Sequence, residues 1–370
     1  MMTTDSFTEI FEPQHDAAPP LDELVRAAMR WHFSADTGSP YWLRRAEQLD
    51  FNPLQDINTF ADLRMFGPDP VDWATVAADA LIPAGCADRS ATFGVYESGG
   101  TTGSPKRIID ASSRLGNVRW IDQHLDGHRF PAGSGHWLHI GPTGPHIMGK
   151  NIRNLAELRG ALCFAIDLDP RWVRRCIAEG RADGVRRYMD HILDQVRDIL
   201  ATQDIRMMST TPPMLEAIVA RPDVYELVQQ KVRGILWGGT SIDAETLRLC
   251  EQEAYPDAVI VGAYGNTMMG VAPQRPRLPD DPASCVFRPY YPYSVVEVVA
   301  ADDPGEDEVP YDTQGRVRIT ALTRELFVPP TLERDLAVRR APVDKSPGNE
   351  LSDVRPRQLA GPDRIIEGVY

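Results

Sequence analysis

One stretch of the sequence combines residues suited to binding a phosphate-like anion. It runs from Tyr96 to Arg107 and contains three glycines, several hydroxyl side chains and the adjacent cations Lys106 and Arg107. Glycines let the backbone approach a ligand closely, and successive N–H groups in such a turn form an anion-binding nest. The alternative is a polar connection without a ligand, because glycine- and serine-rich loops are common. The candidate phosphate-binding residues are Ser98, Gly99, Gly100, Thr101, Thr102, Gly103 and Lys106.

Two further glycine-containing stretches each follow a short apolar run. They are Gly262–Gly270 and Trp237–Ser241. Loops at the carboxyl ends of strands are where α/β sheets bind nucleotides. Tyr264 could stack on a base and Thr267 could donate to a phosphate oxygen. The alternatives are a core position for Tyr264 and, for the second stretch, a simple strand–helix turn capped by Ser241.

The elements that must position these stretches are predicted from hydrophobic periodicity. Short apolar runs predict five buried strands: Trp137–Ile140, Ala161–Ile166, Met207–Ser209, Gly234–Trp237 and Ala258–Val261. The segments between them predict four helices: Arg171–Glu179, Tyr188–Gln203, Pro213–Ala220 and Ala244–Ala254. This alternation predicts a layered α/β fold in which helices cover the sheets.

The pattern changes on both sides of this core. Three helices are predicted before it: Leu21–Phe33, Tyr41–Leu49 and Thr59–Met65. Ser294–Ala300 and Arg316–Thr320 predict strands after it, and no element is assigned in the tail from Ala341 to Tyr370. We therefore predict a helical N-terminal region at 1–85, an α/β nucleotide-binding core at 86–290, a small β-rich subdomain at 291–345 and a tail at 346–370.

Composition excludes several classes of protein. The formal net charge is −14, whereas long nucleic-acid surfaces are strongly basic. The five cysteines form no C-x-x-C pair, which disfavours a zinc site or a disulfide framework. No basic segment followed by an apolar run opens the chain, and no apolar run approaches 18 residues. These features predict a cytoplasmic protein without nucleic-acid or membrane partners and without a metal-ligand cluster.

The glycine stretches, taken together and in this order, resemble motifs of the adenylate-forming superfamily, which includes acyl-CoA synthetases, peptide-synthetase adenylation domains and luciferases. Its phosphate loop reads about T-S-G-T-T-G-x-P-K-G. Alignment on Thr101-Thr102-Gly103 brings four residues into register: Ser98, Gly100, Pro105 and Lys106. The family's Y-G-x-T-E motif resembles Tyr264–Met268, its adenine-site glycine pair resembles Gly238-Gly239, and its ribose-binding motif resembles Pro329–Ala337.

The resemblance extends from about residue 20 to residue 340 and is closest to the phenylacetate–CoA ligase branch. The chain length and tail also resemble a truncated adenylating-type protein associated with phenazine antibiotic biosynthesis. The implied fold is the N-terminal domain of the adenylate-forming fold, with layered helix-covered β-sheets and a small β-rich subdomain. The chain ends near the family's hinge, so we expect the mobile C-terminal domain to be absent.

The resemblance implies roles for the candidate residues, with ATP or AMP as cofactor and Mg²⁺ accompanying ATP. The glycine-rich loop would hold the β- and γ-phosphates, Thr267 the α-phosphate, Tyr264 the adenine and Asp335 the ribose hydroxyls. Catalytic roles are implied for Thr267, Lys106 and His146. The remaining implied cofactor-binding residues are Gly238, Gly239, Thr240, Ala263, Gly265 and Asn266.

The acid-binding pocket is implied less directly. Gly141–Gly149 follows a predicted strand, and its position resembles the family's loop that gates the acid. His146 would line the pocket; the alternative is a histidine satisfied by the loop backbone. Trp237 and Tyr264 would suit a flat aromatic acid by stacking.

Four positions or segments depart from the family pattern. The Mg²⁺-binding glutamate is replaced by Met268, a thioether that a hard cation does not favour. Within the phosphate loop, Gly99 replaces the usual serine and Arg107 the closing glycine. The expected absence of the C-terminal domain removes a lysine that contacts the developing charge.

Two hypotheses about function follow. The first is ATP-dependent adenylation of an aromatic carboxylic acid, a phenazine carboxylate among the candidates, with the acyl-adenylate passed to a reductase or an acyltransferase. The second is a degenerate protein that binds AMP, an acid or an adenylate without turnover. An unrelated kinase or ligase that uses the glycine loop is disfavoured, because no stretch matches the Walker pattern G-x-x-x-x-G-K-[ST] and because the three motifs occur together in order.

Overall fold

The computed structural model describes residues 9–12, 18–67, 71–98, 105–302, 305 and 307–357, without the side chains of residues 89–91. The chain forms two compact units that interleave along the sequence. The first comprises Met1–Asn117, Asn266–Gly270 and Pro289–Leu351, and the second comprises Val118–Gly265, Val271–Arg288 and Ser352–Tyr370. The four consecutive segments of the sequence analysis remain a prediction about domain organisation.

Short helices open the first unit and pack on an aromatic cluster. They are α1 (Leu21–Phe33), α2 (Pro40–Ala46), α3 (Pro53–Asp56) and a 3-10 helix at Ala61–Phe66. Ser39 begins α2 as its N-cap, with Pro40 in the first turn. The rings of Phe33, Trp42 and Phe66 surround Phe327, with centroids 5.0–5.9 Å from it. The prediction of Leu21–Phe33 is confirmed, whereas Tyr41–Leu49 is shorter than predicted and Thr59–Met65 is replaced by the 3-10 turn.

The β-structure of the first unit consists of a two-stranded ribbon and an antiparallel sheet. The ribbon pairs β1 (Gly94–Glu97) with β2 (Arg107–Asp110). In the sheet, β10 (Ser294–Val299), β11 (Gln314–Leu322) and β12 (Phe327–Arg340) are neighbours in this order. Both strands predicted in this region are confirmed. The sequence did not predict β12, because the pair Pro329-Pro330 is untypical of a strand interior.

The tail also contains structure that was not predicted. Residues Glu350–Pro356 form strand β13, which lies beside β12. Leaving the tail from Ala341 onward without any element was therefore wrong. The Pro, Gly and charged residues before β13 give no strand signal, and β13 forms through pairing with β12, the preceding strand, rather than through local propensity.

The second unit is built on a largely parallel sheet. Its strands are β3 (His136–Gly141), β4 (Cys163–Asp167), β5 (Ile205–Thr210), β6 (Gly234–Gly238), β7 (Val259–Asn266) and β8 (Gly270–Pro273). They lie in the order β4-β3-β5-β6-β7-β8, and the four pairings from β4 to β7 are parallel. All five predicted strands are confirmed. A two-residue strand, β9 (Val286–Phe287), follows β8.

Helices follow these strands as the α/β prediction requires. They are α4 (Arg114–Gly127), α5 (Ile147–Leu158), α6 (Pro170–Ala178), α7 (Ala182–Thr202), α8 (Pro212–Val219), α9 (Pro222–Lys231) and α10 (Ala244–Leu249), which continues as a π-helical turn at Cys250–Ala254. Apolar residues of α4 and α5, including Ile121 and Leu155, pack with Trp137, Met207 and Leu236 of the sheet. The four helices predicted between the strands are confirmed, whereas α4, α5 and α9 were not predicted. Among the described residues, no helix is long and apolar enough to cross a lipid bilayer.

Candidate functional site

The ends of the glycine-rich loop are held by a β-ribbon of the first unit. Ser98 and Lys106 face each other where the ribbon opens: the Ser98 N–H donates to the Lys106 carbonyl at 2.9 Å, and the Lys106 N–H donates to Ser98 Oγ at 2.9 Å. The loop's ends are thus fixed by mutual hydrogen bonds, as in a hairpin. Five predicted loop residues lie outside the described residues: Gly99, Gly100, Thr101, Thr102 and Gly103.

The ammonium group of Lys106 is paired with a carboxylate. Lys106 Nζ lies 3.0 Å from Oε1 of Glu333, whose side chain is only 13% exposed. Burial raises the pKa of the Glu333 carboxyl, the Lys106 charge lowers it, and the nearby Asp335 carboxylate raises it again; the net shift is upward. The side chain of Arg316 donates from Nε to the Glu333 carbonyl at 2.6 Å. Lys106 therefore connects the predicted phosphate loop to the predicted ribose motif.

Glu333 and Asp335 lie in an irregular part of β12. Arg318 pairs with Leu332 and Arg316 pairs with Leu336, so residues 333–335 lie within a shift of register. Bulges of this kind re-aim side chains and are frequent beside binding sites. The candidate ribose-binding residue Asp335 is therefore presented from a bulge and not from a regular strand.

The second cation of the loop is also neutralised. Arg107 Nε lies 3.0 Å from Oε1 of Glu97 on the partner strand, and another guanidinium nitrogen donates to the Ala74 carbonyl at 3.2 Å. The sequence analysis counted Lys106 and Arg107 as charges available to an anion. In this structure both cations have carboxylate partners, because the ribbon and β12 bring Glu97 and Glu333 next to them.

Thr267 lies beside the ribbon within the first unit. Its hydroxyl is 3.5 Å from the carbonyl oxygen of Glu97, which directly precedes Ser98. The turn after β7 is shaped by Asn266, whose Oδ1 accepts from the N–H groups of Met268 at 3.0 Å and Met269 at 2.8 Å. Within the described part of the chain, Asn266 Nδ2 is buried and has no hydrogen-bond partner. Thr267 of one sequence motif thus lies next to Glu97, at the end of the ribbon that leads into the other.

The turn after β7 is held by a buried arginine that the sequence analysis did not single out. Arg114, the first residue of α4, donates to the backbone carbonyls of Thr267 and, at 3.4 Å, Met268. Burial lowers the pKa of its guanidinium group, while the charges of Asp110 and Glu325 counteract that effect. Glu325 also accepts the N–H groups of the three residues before the helix, Ala111, Ser112 and Ser113, each at 2.9 Å. No sequence signal pointed to Arg114, because the carbonyls that it binds are more than 150 positions away in the chain.

Position 268, where the resembling family motif has a glutamate, carries a buried methionine. Met268 is 2% exposed, so its thioether lies in the interior and offers no oxygen ligand. Among the described residues, no group of three or more His, Cys, Asp or Glu side chains could hold a metal ion. The described residues therefore offer no protein cage for Mg²⁺.

The glycine pair of the second unit lies where β6 ends. Gly238 pairs with Ala263 of β7, and a Cβ at Gly238 would lie 2.8 Å from the Ala263 carbonyl oxygen. Gly239 has φ +84°, a conformation that favours glycine. The hydroxyl of Thr240 is buried and has no hydrogen-bond partner within the described residues. Ser241 is not the helix cap: Asp243 begins α10 and accepts from the Thr246 N–H at 2.9 Å.

The predicted glycine turn at Gly262 is part of a strand. β7 continues through Tyr264 and Gly265 to Asn266, so the chain turns only after Asn266. The Gly262 N–H donates to Gln274 Oε1 at 2.8 Å, a contact within the second unit that anchors the strand. Apolar runs end early in this segment because Gly262 and Gly265 carry no side chain, and strand pairing rather than hydrophobicity extends it.

The ring of Phe287 lies near both Tyr264 and Trp237 in the second unit. The Tyr264 and Trp237 rings lie 6.2 Å and 6.4 Å from the ring of Phe287. Trp237 is buried and its ring lies directly against Gly262, so it is a core residue. The predicted stacking of Trp237 on an aromatic acid is therefore corrected: packing between strands takes up its surface. Tyr264 is partly exposed and remains a candidate.

The loop after β3 brings His146 close to an acidic residue. Asp167, at the end of β4, accepts from the N–H and the hydroxyl of Thr143 at 2.7 Å each. Burial raises the pKa of Asp167, but the Thr143 hydrogen bonds and the His146 charge lower it overall. His146 is the N-cap residue of α5, although its side chain does not cap the helix.

A second histidine, His139, lies in β3 itself. The sequence analysis did not single it out, because a lone histidine inside a strand carries no sequence signal. His139 Nδ1 lies 3.4 Å from Ser209 Oγ on the neighbouring strand, and Nε2 lies 3.5 Å from the Pro142 carbonyl oxygen. Burial lowers the pKa of His139 to about 4, so the imidazole is neutral at physiological pH. His139 can therefore accept or donate one hydrogen bond but carries no charge.

Comparison with solved structures shows which known fold the chain shares. No family profile and no curated protein sequence matches this chain. The structure is similar to an open conformation of 2-hydroxyisobutyryl-CoA ligase in complex with 2-HIB-AMP and CoA, with a TM-score of 0.60 at 14% identity, covering 93% of this chain and 74% of the ligase. The same ligase in the postadenylation state with R3-HIB-AMP gives 0.59 at 11% identity, covering 100% of this chain and 75% of the ligase. The chain has the fold of the adenylate-forming ligases.

Other solved structures resemble only part of the chain. ATP-bound MatB from Rhodopseudomonas palustris matches with a TM-score of 0.46 at 14% identity, covering 71% of this chain and 47% of MatB. The chain therefore spans about half the length of MatB. The predicted fold class is confirmed, and the likeness concerns the fold alone.

Proposed function

We propose that this protein catalyses ATP-dependent adenylation of a carboxylic acid. One observation carries the proposal: residues from three separate motifs are linked to the ribbon β1–β2 within one compact unit. Lys106 extends from the ribbon, Thr267 lies 3.5 Å from its Glu97 carbonyl, and Glu333 joins Lys106 to the segment that contains Asp335. These contacts are consistent with one nucleotide being held by all three motifs.

In the proposed reaction, a carboxylate oxygen of the acid attacks the α-phosphorus of ATP. A new P–O bond forms, the bond to the β-phosphate oxygen breaks, and pyrophosphate leaves with its electron pair. The attacking group comes from the substrate, so positioning and charge stabilisation supply the catalysis. In this proposal Ser98, the glycine-rich loop and Lys106 hold the β- and γ-phosphates, and Thr267 donates to the α-phosphate.

The remaining proposed contacts concern adenosine and the acid. Asp335 would accept from the ribose hydroxyls, and Tyr264 would cover the adenine beside the turn formed by Gly238, Gly239 and Thr240. The segment around Tyr264 would supply backbone groups through Ala263, Gly265 and Asn266. His146 would line the acid-binding side. Mg²⁺, arriving with ATP, would neutralise phosphate charge.

We extend the proposal to an aromatic acid, a phenazine carboxylate among them. Tyr264, which is partly exposed, provides aromatic surface in the second unit, which suits a flat ring. The motifs resemble the phenylacetate–CoA ligase branch, whose substrates are aromatic. A reductase or an acyltransferase would then consume the acyl-adenylate, because such an anhydride is a reactive acyl donor.

A second candidate function is binding of AMP or an adenylate without turnover. Two observations favour it: Lys106 and Arg107 are paired with carboxylates, and Met268 is buried at the position of the family's metal-binding glutamate. A site with neutralised cations and no metal-binding carboxylate would bind the monophosphate more readily than it would catalyse phosphoryl transfer.

Acid-dependent exchange of pyrophosphate into ATP tests the proposal. The wild-type chain is assayed with a panel of aryl acids that includes phenazine carboxylates, with aliphatic acids for comparison. We expect exchange with aryl acids, abolished by Lys106→Ala combined with Gly103→Val and retained by the exposed control Lys345→Ala. Tight AMP binding with no exchange for any acid would leave only the second candidate.

A further inference from the structure

The Lys106–Glu333 ion pair joins residues that are 227 positions apart in the sequence. The lysine side chain is 35% exposed and the glutamate side chain 13% exposed, so the pair lies at the edge of the interior. The Glu333 backbone is fixed in turn by the hydrogen bond from Arg316. An ion pair held in this way is less screened than one on the open surface.

The Lys106 ammonium would have to serve both the Glu333 carboxylate and a bound phosphate. A β- or γ-phosphate bound by Lys106 would either draw the ammonium away from Glu333 or lie close to the Glu333 carboxylate. In the first case a buried carboxylate loses its partner beside Asp335, and in the second like charges approach each other; both are unfavourable. AMP has no β- or γ-phosphate, so it causes neither the loss of the ion pair nor the approach of like charges.

We propose that Glu333 sets the nucleotide preference of the site by competing with the β- and γ-phosphates for Lys106, which favours AMP and the adenylate over ATP. This inference rests on the proposed nucleotide site. It assigns Glu333 as a specificity-determining residue, although the family motif that marks Asp335 does not single it out. It also gives a reason why Lys106, at the end of the proposed phosphate loop, is paired with a carboxylate.

Calorimetric titration with ATP and with AMP tests the inference in wild type and Glu333→Gln. Glutamine keeps the size of the side chain and removes the charge. We expect Glu333→Gln to bind ATP about tenfold or more tightly, the range of one charge-assisted hydrogen bond, and to bind AMP within about twofold of wild type. A change in general stability would alter both affinities together, so the ratio of the two affinities is the decisive quantity.

A double-mutant cycle isolates the pair. In a Lys106→Met background, Glu333→Gln is expected to leave the ratio of the ATP and AMP affinities unchanged, because the ammonium group for which carboxylate and phosphate compete has been removed. Glu308→Gln is the matched control: Glu308 is also a partly buried carboxylate of the first unit, paired with Arg339 at 2.6 Å. It should lower stability without moving the ratio.

The outcomes separate the inference from the proposed function. If both nucleotides bind and Glu333→Gln leaves their ratio unchanged, the inference is wrong and the nucleotide site stands. An equal shift of the ratio in the Lys106→Met background would also overturn it. If neither wild type nor Glu333→Gln binds ATP or AMP, the proposed function and the inference fail together.

Discussion

Arg114 donates a hydrogen bond to the backbone carbonyl of Thr267, a residue 153 positions later in the chain. The guanidinium group also lies 3.9 Å from Asp110 Oδ1 and is almost completely buried. A buried cation thus fixes the backbone of the turn that presents the proposed α-phosphate ligand. Its position is set by the N-terminus of α4, which the Glu325 carboxylate caps.

Replacing Arg114 by lysine should loosen this turn. Lysine keeps the charge but lacks the planar fork that reaches two carbonyls and a carboxylate at once. We expect Arg114→Lys to lose about 1–3 kcal/mol of unfolding free energy and to weaken nucleotide binding as well. Chemical denaturation and calorimetric titration measure the two effects.

Arg318→Lys is the control for the Arg114 prediction. Arg318 is another buried arginine of the first unit, bound to Glu297 by two hydrogen bonds of 2.9 Å and 2.7 Å. This variant should lose similar stability while its nucleotide affinity stays at the wild-type level. Equal loss of affinity in both variants would contradict a positioning role for Arg114.

Gly270→Ala tests how tightly the end of the same turn is packed. Gly270 has φ +93°, and a Cβ there would lie 2.8 Å from Asn117 Oδ1 and 3.0 Å from a guanidinium nitrogen of Arg114. Gly67 has φ +83° with no atom within 4 Å of its Cβ position, so Gly67→Ala measures the backbone cost alone. We expect about 1 kcal/mol for Gly67→Ala and about 2–4 kcal/mol for Gly270→Ala in urea denaturation. Equal costs would mean that crowding at Gly270 is unimportant.

Thr267→Ala should slow the proposed reaction without destabilising the protein. The Thr267 hydroxyl is at the limit of hydrogen-bonding distance from the Glu97 carbonyl, so it can turn toward a ligand at little cost. Losing one donor to a developing phosphate charge lowers the rate by about 10²-fold. Pyrophosphate exchange at saturating ATP measures the rate, and Thr267→Ser should retain most of it. Full activity of Thr267→Ala would exclude this role.

Acidification should destabilise the fold through buried histidines. Burial lowers the pKa values of His32, His124 and His139 to about 4 in the folded protein, against 6.5 for an exposed imidazole. The folded state therefore favours the neutral ring. The contribution of these neutral rings to the free energy of unfolding is complete above pH 6.5 and is lost as the pH falls toward 4. Each ring accounts for about 3 kcal/mol over this range. His139→Gln should lessen the loss by about one third.

The measurement for the histidine prediction is the free energy of unfolding between pH 7 and pH 4. His191, exposed on α7, supplies the control variant His191→Gln, which should follow the wild-type profile. A His139→Gln profile parallel to wild type would show that His139 does not titrate as the structure implies.

Much of the fold follows from local patterns. The five apolar strands and the helices between them are readable because each buries one continuous or periodic apolar face. The elements that were missed lack such a pattern: β12 contains Pro329-Pro330, β13 lies in a polar tail, and α4 has little apolar periodicity at its start. Pairing with adjacent strands, rather than propensity, forms β12 and β13.

The sequence by itself determined the types of residue available to the site: hydroxyls and cations around the glycine-rich loop, Thr267 after a buried strand, and Asp335 downstream. Only the tertiary structure decided how their charges are used. It pairs Lys106 with Glu333 and places Arg114 beneath Thr267, because chain folding brings residues hundreds of positions apart to within hydrogen-bonding distance. Electrostatic energy depends on those distances and on burial, and neither is encoded at any single position.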